Sequence, residues 1–178
     1  MDLIKTLFDK INHANLWKKE ITLKRNEYLK VEGSTDTNLY YVEEGSLRIF
    51  VVDEVEEHTI RFGYQGNFIA ALDSFISENP SPFYIQALKK TVVKVVSKSD
   101  YISFLKSDVV NLELWDTLLQ GLIIQQLERE IDILTSSPIE RYKRVLKRSP
   151  QLFQEIPHKH IASYLRMTPE TLSRIKKS

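Results

Sequence analysis

The sequence predicts an α+β protein in which an antiparallel β-barrel or sandwich lies between helices and a basic helix-turn-helix ends the chain. Three observations predict this class. Short strand-like runs separated by turn residues fill residues 21–96, an apolar helical periodicity runs over 109–134, and a helix pair with a short turn follows after residue 150.

Composition indicates an ordered chain with a core of its own, because 42% of the 178 residues are apolar and 28% are charged. No apolar run approaches the roughly 18 residues of a membrane span, and the N-terminal residues lack the pattern of a signal peptide. We therefore expect a cytoplasmic protein without a membrane partner. The absence of cysteine excludes disulfides, cysteine-ligated metal clusters and thiol catalysis.

Charge is divided unevenly along the chain. Residues 139–178 contain ten Lys and Arg against three acidic residues, which gives +7, whereas residues 1–138 carry 15 basic and 21 acidic residues, which gives −6. Such asymmetry favours an acidic body that carries a polyanion-binding module, with a solvated basic tail as the alternative.

The N-terminal elements follow from local patterns. Residues 3–16 have the 3–4 spacing of an amphipathic helix, and Asp100 is expected to cap a short helix toward Lys106. Between them the predicted strands are 28–31, 39–42, 47–52, 58–62, 83–88 and 91–96.

The stretch 109–134 predicts one long helix with two neighbouring apolar stripes. At about 1.5 Å per residue it is a rod of about 39 Å, long enough to cover the barrel with one face and to pair with a second copy along the other. The alternative is a helix whose stripes both pack inside its own subunit. The predicted dimer contacts are Leu112, Trp115, Leu119, Leu122, Ile123, Gln126 and Leu127. Residues 135–138 form a hinge-like break.

The basic module contains a helix over 139–147 and then a helix, a turn and a second helix within 156–177. Thr168 suits the N-cap of the last helix and Pro169 its first position, while Leu172 faces inward. A major groove accepts such a helix, since Arg reads guanine and Glu accepts from cytosine. The candidate DNA-binding residues are Lys159, Thr168, Pro169, Glu170, Thr171, Ser173, Arg174, Lys176 and Lys177.

Three segments, 43–48, 65–69 and 168–174, resemble the catabolite activator and fumarate-nitrate regulator (Crp/Fnr) family of bacterial transcription regulators. The resemblance implies an N-terminal antiparallel β-roll (a double-stranded β-helix) with flanking helices as the sensor over 1–108. It further implies a dimerisation helix and hinge over 109–137 and a helix-turn-helix domain over 138–178. Double-stranded DNA, a second copy and RNA polymerase are the partners that it implies.

Residue by residue, Glu170 and Arg174 match the family's base-reading acid and arginine, and Pro169 occupies the place of a further arginine. One base contact is therefore missing or moved. The segment before His158 is also too short for the family's full β-wing, which puts phosphate contacts from a wing in doubt.

In nucleotide-binding members of the family a Gly-Glu pair holds the ribose and an arginine neutralises the cyclic phosphate. Ala70-Ala71 and Ser81 stand at these places, so we expect no tight binding of a cyclic nucleotide. An apolar pocket remains for an unidentified small ligand, unless these side chains are only core. Its candidate residues are Phe68, Ile69, Ala70, Ala71, Leu72, Ser81 and Phe83.

Catalysis has little support, and no cofactor is expected. The strand region contains only His58, and the spacing of His158 and His160 at a helix start sends their side chains in different directions. The sequence predicts a homodimeric, sequence-specific DNA-binding transcriptional regulator. The alternative is a ligand-sensing or protein-interaction module that has lost specific DNA binding.

Overall fold

The computed structural model describes residues 2–177, which form eight strands and eight helices. The strands are β1 Lys19–Leu23, β2 Tyr28–Lys30, β3 Leu39–Glu44, β4 Ser46–Asp53, β5 Glu56–Tyr64, β6 Phe68–Ile69, β7 Tyr84–Ala87 and β8 Thr91–Val96. The helices are α1 Leu3–His13, α2 Leu72–Ser77, α3 Lys98–Lys106, α4 Val109–Leu134, α5 Pro138–Arg148, α6 Leu152–Glu155, α7 His158–Tyr164 and α8 Pro169–Ile175.

The strands form a β-roll of two four-stranded antiparallel sheets with the orders β1-β8-β3-β6 and β2-β7-β4-β5. Apolar residues that alternate along the strands point between the sheets and make the first core. Its fully buried members include Val42, Leu47, Ile85, Ala87 and Val93. The predicted α+β class with an antiparallel β-roll is therefore confirmed.

The turn between β3 and β4 depends on Gly45, whose φ is +93°. A side chain there would meet the carbonyl of Lys90 and the hydroxyl of Thr91, so the position is closed to other residues. This turn aligns β4 between β5 and β7, and so places Arg48 and Ile49 on opposite faces of the second sheet.

Local signals located most elements and missed the weakest ones. All six predicted strands are present, but β1 and the two-residue β6 were not predicted, because one is largely polar and the other too short for a pattern. The six-residue α2 was also missed. The expected cap of α3 was wrong: the N-cap is Ser97, whose hydroxyl accepts from the backbone N–H of Asp100.

A second core joins the helices that flank the roll. Leu7 and Ile11 of α1, Tyr101 of α3 and Leu114 of α4 pack together beside the first sheet. The T-shaped contact between Tyr101 and Trp115, with ring centroids 5.3 Å apart, anchors the first half of α4 to the roll.

A third core is shared between the roll and the C-terminal helices. Phe62 of β5 and Leu88 at the end of β7 pack with apolar residues of α5 to α8, among them Val145, Ile161 and Leu172. We call residues 138–177 the head. The head is therefore docked on the β-roll of its own subunit, and no strand follows β8 within residues 2–177.

Candidate functional site

The helix pair α7 and α8 is built as the sequence predicts. Leu165 at the end of α7 and Leu172 of α8 are both fully buried and hold the two helices together. The turn passes through Arg166, whose φ is +52°. Thr168 then caps α8 by accepting from the N–H of Thr171 at 3.2 Å, and Pro169 takes the first helical position.

The outer surface of α8 carries the predicted base-reading groups. Glu170 and Arg174 are both exposed, one turn apart on the same helix. The pKa of Glu170 is lowered by its own backbone N–H, by the Thr168 hydroxyl and by Arg174, which favours the ionised carboxylate. Among the other predicted DNA-binding residues, Thr171 is half-buried. The remaining ones are exposed: Lys159, Thr168, Pro169, Ser173, Lys176 and Lys177.

Arg141 of α5 holds the head to the hinge. The residue is 8% exposed. It donates to the carbonyl of Thr135 at 2.6 Å, of Ser136 at 3.1 Å, of Leu165 at 2.8 Å and of Arg166 at 3.1 Å. One side chain thus ties the break after α4 to the turn of the helix pair.

A cluster of charges joins the end of α4 to α5. The fully buried carboxylate of Asp132 accepts from Arg144 at 3.0 Å and pairs with Arg148. Glu128 lies 2.7 Å from Arg144 and 3.5 Å from Arg148. Together with Arg141, these pairs fix the direction in which the head leaves the long helix.

The head contacts β5 through α7. The Ser163 hydroxyl donates to the carbonyl of Glu57 at 3.3 Å. The ring of Tyr164 lies between the guanidinium of Arg129 at 3.7 Å and the ring of Phe62 at 5.4 Å. A charge-assisted bond of 3.0 Å between Lys89 and Glu155 closes the edge of this contact.

His160 lies half-buried in the same contact and not on the open surface that its spacing suggests. Burial lowers its pKa to about 4, and the charges of Arg48, Lys159 and Arg25 act in the same direction while Glu57 opposes them. The docked state therefore favours neutral His160. In a released head the histidine regains an ordinary pKa of about 6.5. Above pH 6.5 His160 is neutral in both states, and docking keeps its full stability. As the pH falls from 6.5 to 4, protonation of the released histidine favours release and docking loses stability.

We expect hydrogen exchange of α7 and β5, corrected for intrinsic rates, to increase as the pH falls from 7.5 to 5. His160→Gln, which cannot be protonated, should abolish most of this increase, and His158→Gln at an exposed position is the matched control. An equal pH response in wild type and His160→Gln would contradict this assignment.

Two cavities lie between the roll and α4, and the second of them also borders the head. The first, of about 410 Å³, is lined by apolar residues of α1, the roll and α4. Four predicted pocket residues, Phe68, Ile69, Ala70 and Leu72, line it. The other three predicted pocket residues do not line it. Ala71 and Ser81 are buried, each 1% exposed, and Phe83 packs against the first core.

The second cavity, of about 320 Å³, is lined by residues of β5, β6, α4 and the head. Arg129 and Tyr164 lie at its head end, and Arg61 lines both cavities. Sequence reasoning missed Arg61, Arg129, Asp132 and Arg141. Arg61 stands between Ile60 and Phe62, and alternation along a strand places it on the face opposite to theirs, so no local pattern indicated that it lines a cavity.

The two apolar stripes of α4 differ in exposure: one faces outward and the other borders the first cavity. Leu112, Ile123 and Leu127 are 44%, 61% and 54% exposed, and Gln126 is exposed beside them. Leu119 is half-buried. Trp115 and Leu122 instead line the first cavity of their own subunit.

Residues 2–177 contain neither a membrane-spanning helix nor a cluster of metal-ligating side chains. None of the helices there combines the length and apolarity needed to cross a bilayer. The same residues bring together no group of three His, Asp or Glu side chains with the geometry of a metal site.

Comparison with known proteins gives three findings. The model of the cyclic nucleotide-binding domain family matches residues 20–108, which is half of the chain. No curated protein matches the sequence. Several solved structures share the fold at low sequence identity.

FixK2 from Bradyrhizobium japonicum is 19% identical with a TM-score of 0.73, over 89% of this chain and 82% of that one. The catabolite activator protein of Thermus thermophilus is 19% identical with a TM-score of 0.59, over 95% and 81%. The regulator CLP of Xanthomonas campestris, titled c-di-GMP responsive, is 14% identical with a TM-score of 0.69, over 96% and 90%. The chain belongs to the cyclic nucleotide-binding domain family and has the overall fold of the Crp/Fnr regulators, as its sequence motifs indicated.

Proposed function

We propose that the protein is a homodimeric, sequence-specific DNA-binding transcriptional regulator whose sensor domain does not bind cyclic nucleotides. The observation that carries the proposal is the surface of α8. Glu170 and Arg174 project outward from a helix whose other side is buried through Leu172. Within residues 2–177 the polar contacts of the two side chains stay within α8 and its cap, which leaves both of them placed to meet base edges in a major groove.

Recognition divides between base reading and phosphate contacts. Arg174 donates to guanine and Glu170 accepts from cytosine, while Lys159, Lys176 and Lys177 are placed for phosphates. With Pro169 in place of a reading arginine, each half-site has one direct contact fewer. The net charge of +7 on residues 139–178 predicts affinity that falls steeply with salt.

The exposed stripe of α4 supports the dimer. Ile123, Leu127 and Ile131 are 61%, 54% and 46% exposed and follow one another at four-residue spacing. Monomeric proteins rarely expose a continuous apolar surface of this kind. A two-fold pairing along this stripe carries two heads. If their α8 helices enter major grooves one turn of DNA apart, they read an inverted repeat with half-sites about 34 Å apart.

Ser81 occupies the position of the family's phosphate-binding arginine, and its surroundings support the loss of nucleotide binding. Ser81 there is 1% exposed, and its hydroxyl accepts from the N–H of Phe83 at 3.2 Å. The nearby cation, Lys30, already donates to the carbonyls of Val31 at 2.9 Å, Ser81 at 3.3 Å and Phe83 at 2.8 Å. A cyclic phosphate at this place would therefore lose hydration without gaining a free cation.

Regulation then depends on the docked head. The contact of α7 with β5 holds the head on the roll of its own subunit, so a signal acts by favouring the docked or a released position. Contact with RNA polymerase stays a prediction from the family resemblance.

The experiment is selection of bound sequences from random DNA by the full chain, followed by gel shifts at several salt concentrations. We expect an inverted repeat to be enriched. Arg174→Ala should weaken binding to it by about ten- to a hundredfold per half-site, because a bidentate base contact is lost. Lys106→Ala removes an exposed cation of α3, outside the head, and should leave binding unchanged.

Relaxed sequence preference at one position of each half-site is the second expected result of Arg174→Ala. The proposal is overturned if wild type and Arg174→Ala retain all sequences equally and only at low salt. That outcome favours the alternative, a sensing or interaction module without specific DNA binding.

A further inference from the structure

Arg61 is a guanidinium without an anionic partner in the wall of the first cavity. It lies on β5 opposite Ile49 of β4, and both residues line the cavity. Within residues 2–177 no hydrogen bond or ion pair reaches this side chain, and the one electrostatic interaction that reaches it is with the hydroxyl of Tyr164. Burial lowers the pKa of Arg61, yet an arginine stays protonated in a protein.

The other buried arginines of the chain differ from Arg61. Arg48 donates to Gln86 at 2.9 and 2.7 Å and pairs with Glu57 at 2.6 Å. Arg141 donates to four carbonyls, and Arg129 stacks on Tyr164. The guanidinium of Arg61 is half-buried and has no such partner, so it remains available to an anion that enters the cavity.

Apart from Arg61, Asp2, Thr117 and Gln125, the residues that line the cavity are apolar. Its volume of about 410 Å³ lies in the range of small-molecule sites. The one carboxylate at its wall, Asp2, already accepts from the N–H groups of Ile4 and Lys5 at the start of α1. The hydrophobic wall consists chiefly of Leu7, Phe68, Ile69, Phe75, Trp115 and Leu118.

We propose that this cavity binds an aliphatic monocarboxylate, whose carboxylate pairs with Arg61 and whose hydrocarbon chain fills the apolar wall. One guanidinium matches one carboxylate in charge and in bidentate geometry. A nucleotide fits poorly, because its ribose hydroxyls and base edges would lose their hydrogen bonds against this wall. The inference rests on the proposed sensor role and names the ligand class of that sensor.

The position of Arg61 connects such a ligand to the head. Arg61 also lines the second cavity, whose far wall includes Arg129 of α4 and Leu152 and Tyr164 of the head. A carboxylate at Arg61 therefore lies where the roll, the long helix and the head meet. Binding there changes the charge that faces Tyr164 of the docked α7.

The test is calorimetric titration of the full chain with decanoate, with decanol and with cyclic AMP, in the absence of DNA. We expect one decanoate per chain and weaker binding of decanol. Arg61→Gln should weaken decanoate about 10- to 100-fold and leave decanol unchanged, since only the charge-assisted bonds are lost. Arg25→Gln, an exposed arginine, is the matched control.

A second variant tests the cavity without touching the charge. Gly121 of α4 lines the cavity, and no atom lies within 4 Å of the position of an added Cβ. Gly121→Leu should therefore fill the space and abolish binding of both decanoate and decanol. The thermal midpoint of ligand-free Arg61→Gln should equal or exceed that of wild type, because the substitution removes an uncompensated charge.

The inference is overturned if decanoate does not bind, if Arg61→Gln binds it as tightly as wild type, or if cyclic AMP binds more tightly than decanoate. Because the titration contains no DNA, its failure leaves the DNA-binding proposal standing. A failed DNA selection likewise leaves the titration result unaffected.

Discussion

Ile123→Asp combined with Leu127→Asp is expected to convert the proposed dimer into monomers of 20.8 kDa and to weaken binding to the selected inverted repeat about a hundredfold or more. The two side chains are 61% and 54% exposed on the outer stripe of α4, so the charges do not disturb the core of the subunit. In a two-fold pair of helices each substitution brings two carboxylates to the interface, where they repel each other and lose hydration.

Sedimentation equilibrium measures the mass, and a gel shift with the selected inverted repeat measures the affinity. Ile76→Asp is the matched control, because Ile76 is 66% exposed on α2, away from the stripe. A double variant that remains dimeric and binds the operator normally would show that the copies associate through another surface.

Arg141→Ala is expected to destabilise the head by about 3–5 kcal/mol, a large part of the 5–15 kcal/mol that is typical of a domain. Arg141 is 8% exposed, and its guanidinium donates to four carbonyls. Truncation leaves those acceptors buried without donors and leaves a cavity beneath the turn of the helix pair. Arg141→Lys should recover only part of the loss, since one ammonium cannot reach both the hinge and the turn.

Denaturant unfolding followed with two probes separates the head from the roll. Both tryptophans, Trp17 and Trp115, lie outside the head, so their emission reports the roll and α4. Circular dichroism at 222 nm reports all helices. Arg141→Ala should shift an early dichroism transition to lower denaturant and leave the tryptophan transition nearly in place. Lys143→Ala, at an exposed position of α5, is the control.

The elements that the sequence predicted well are those whose pattern is local. The periodicity of α4 predicted its limits, and the Thr168-Pro169 cap predicted the start of α8, because both depend on residues within one or two helical turns. The two-residue β6 escaped prediction because a strand of that length is held by its partner β3 and not by its own residues.

The residues of the candidate site also divide into those that a local pattern predicts and those that only the tertiary structure places. An outward position for Glu170 and Arg174 follows from the inward position of Leu172 on the same helix. Arg61 gave no such indication, since its cavity is made by α1, β4, β5 and α4, which are distant in sequence. Arg141 likewise gained its role only from the carbonyls of two separate segments.

The sequence alone determined the antiparallel roll, the long helix and the basic helix pair, because alternation, helical period and capping act over a few residues. The tertiary structure decided that the head docks on its own roll, that the inner stripe of α4 borders a cavity while the outer stripe is exposed, and that Arg61 lacks a partner. These depend on surfaces brought together from distant segments, and no local pattern encodes which surfaces will meet.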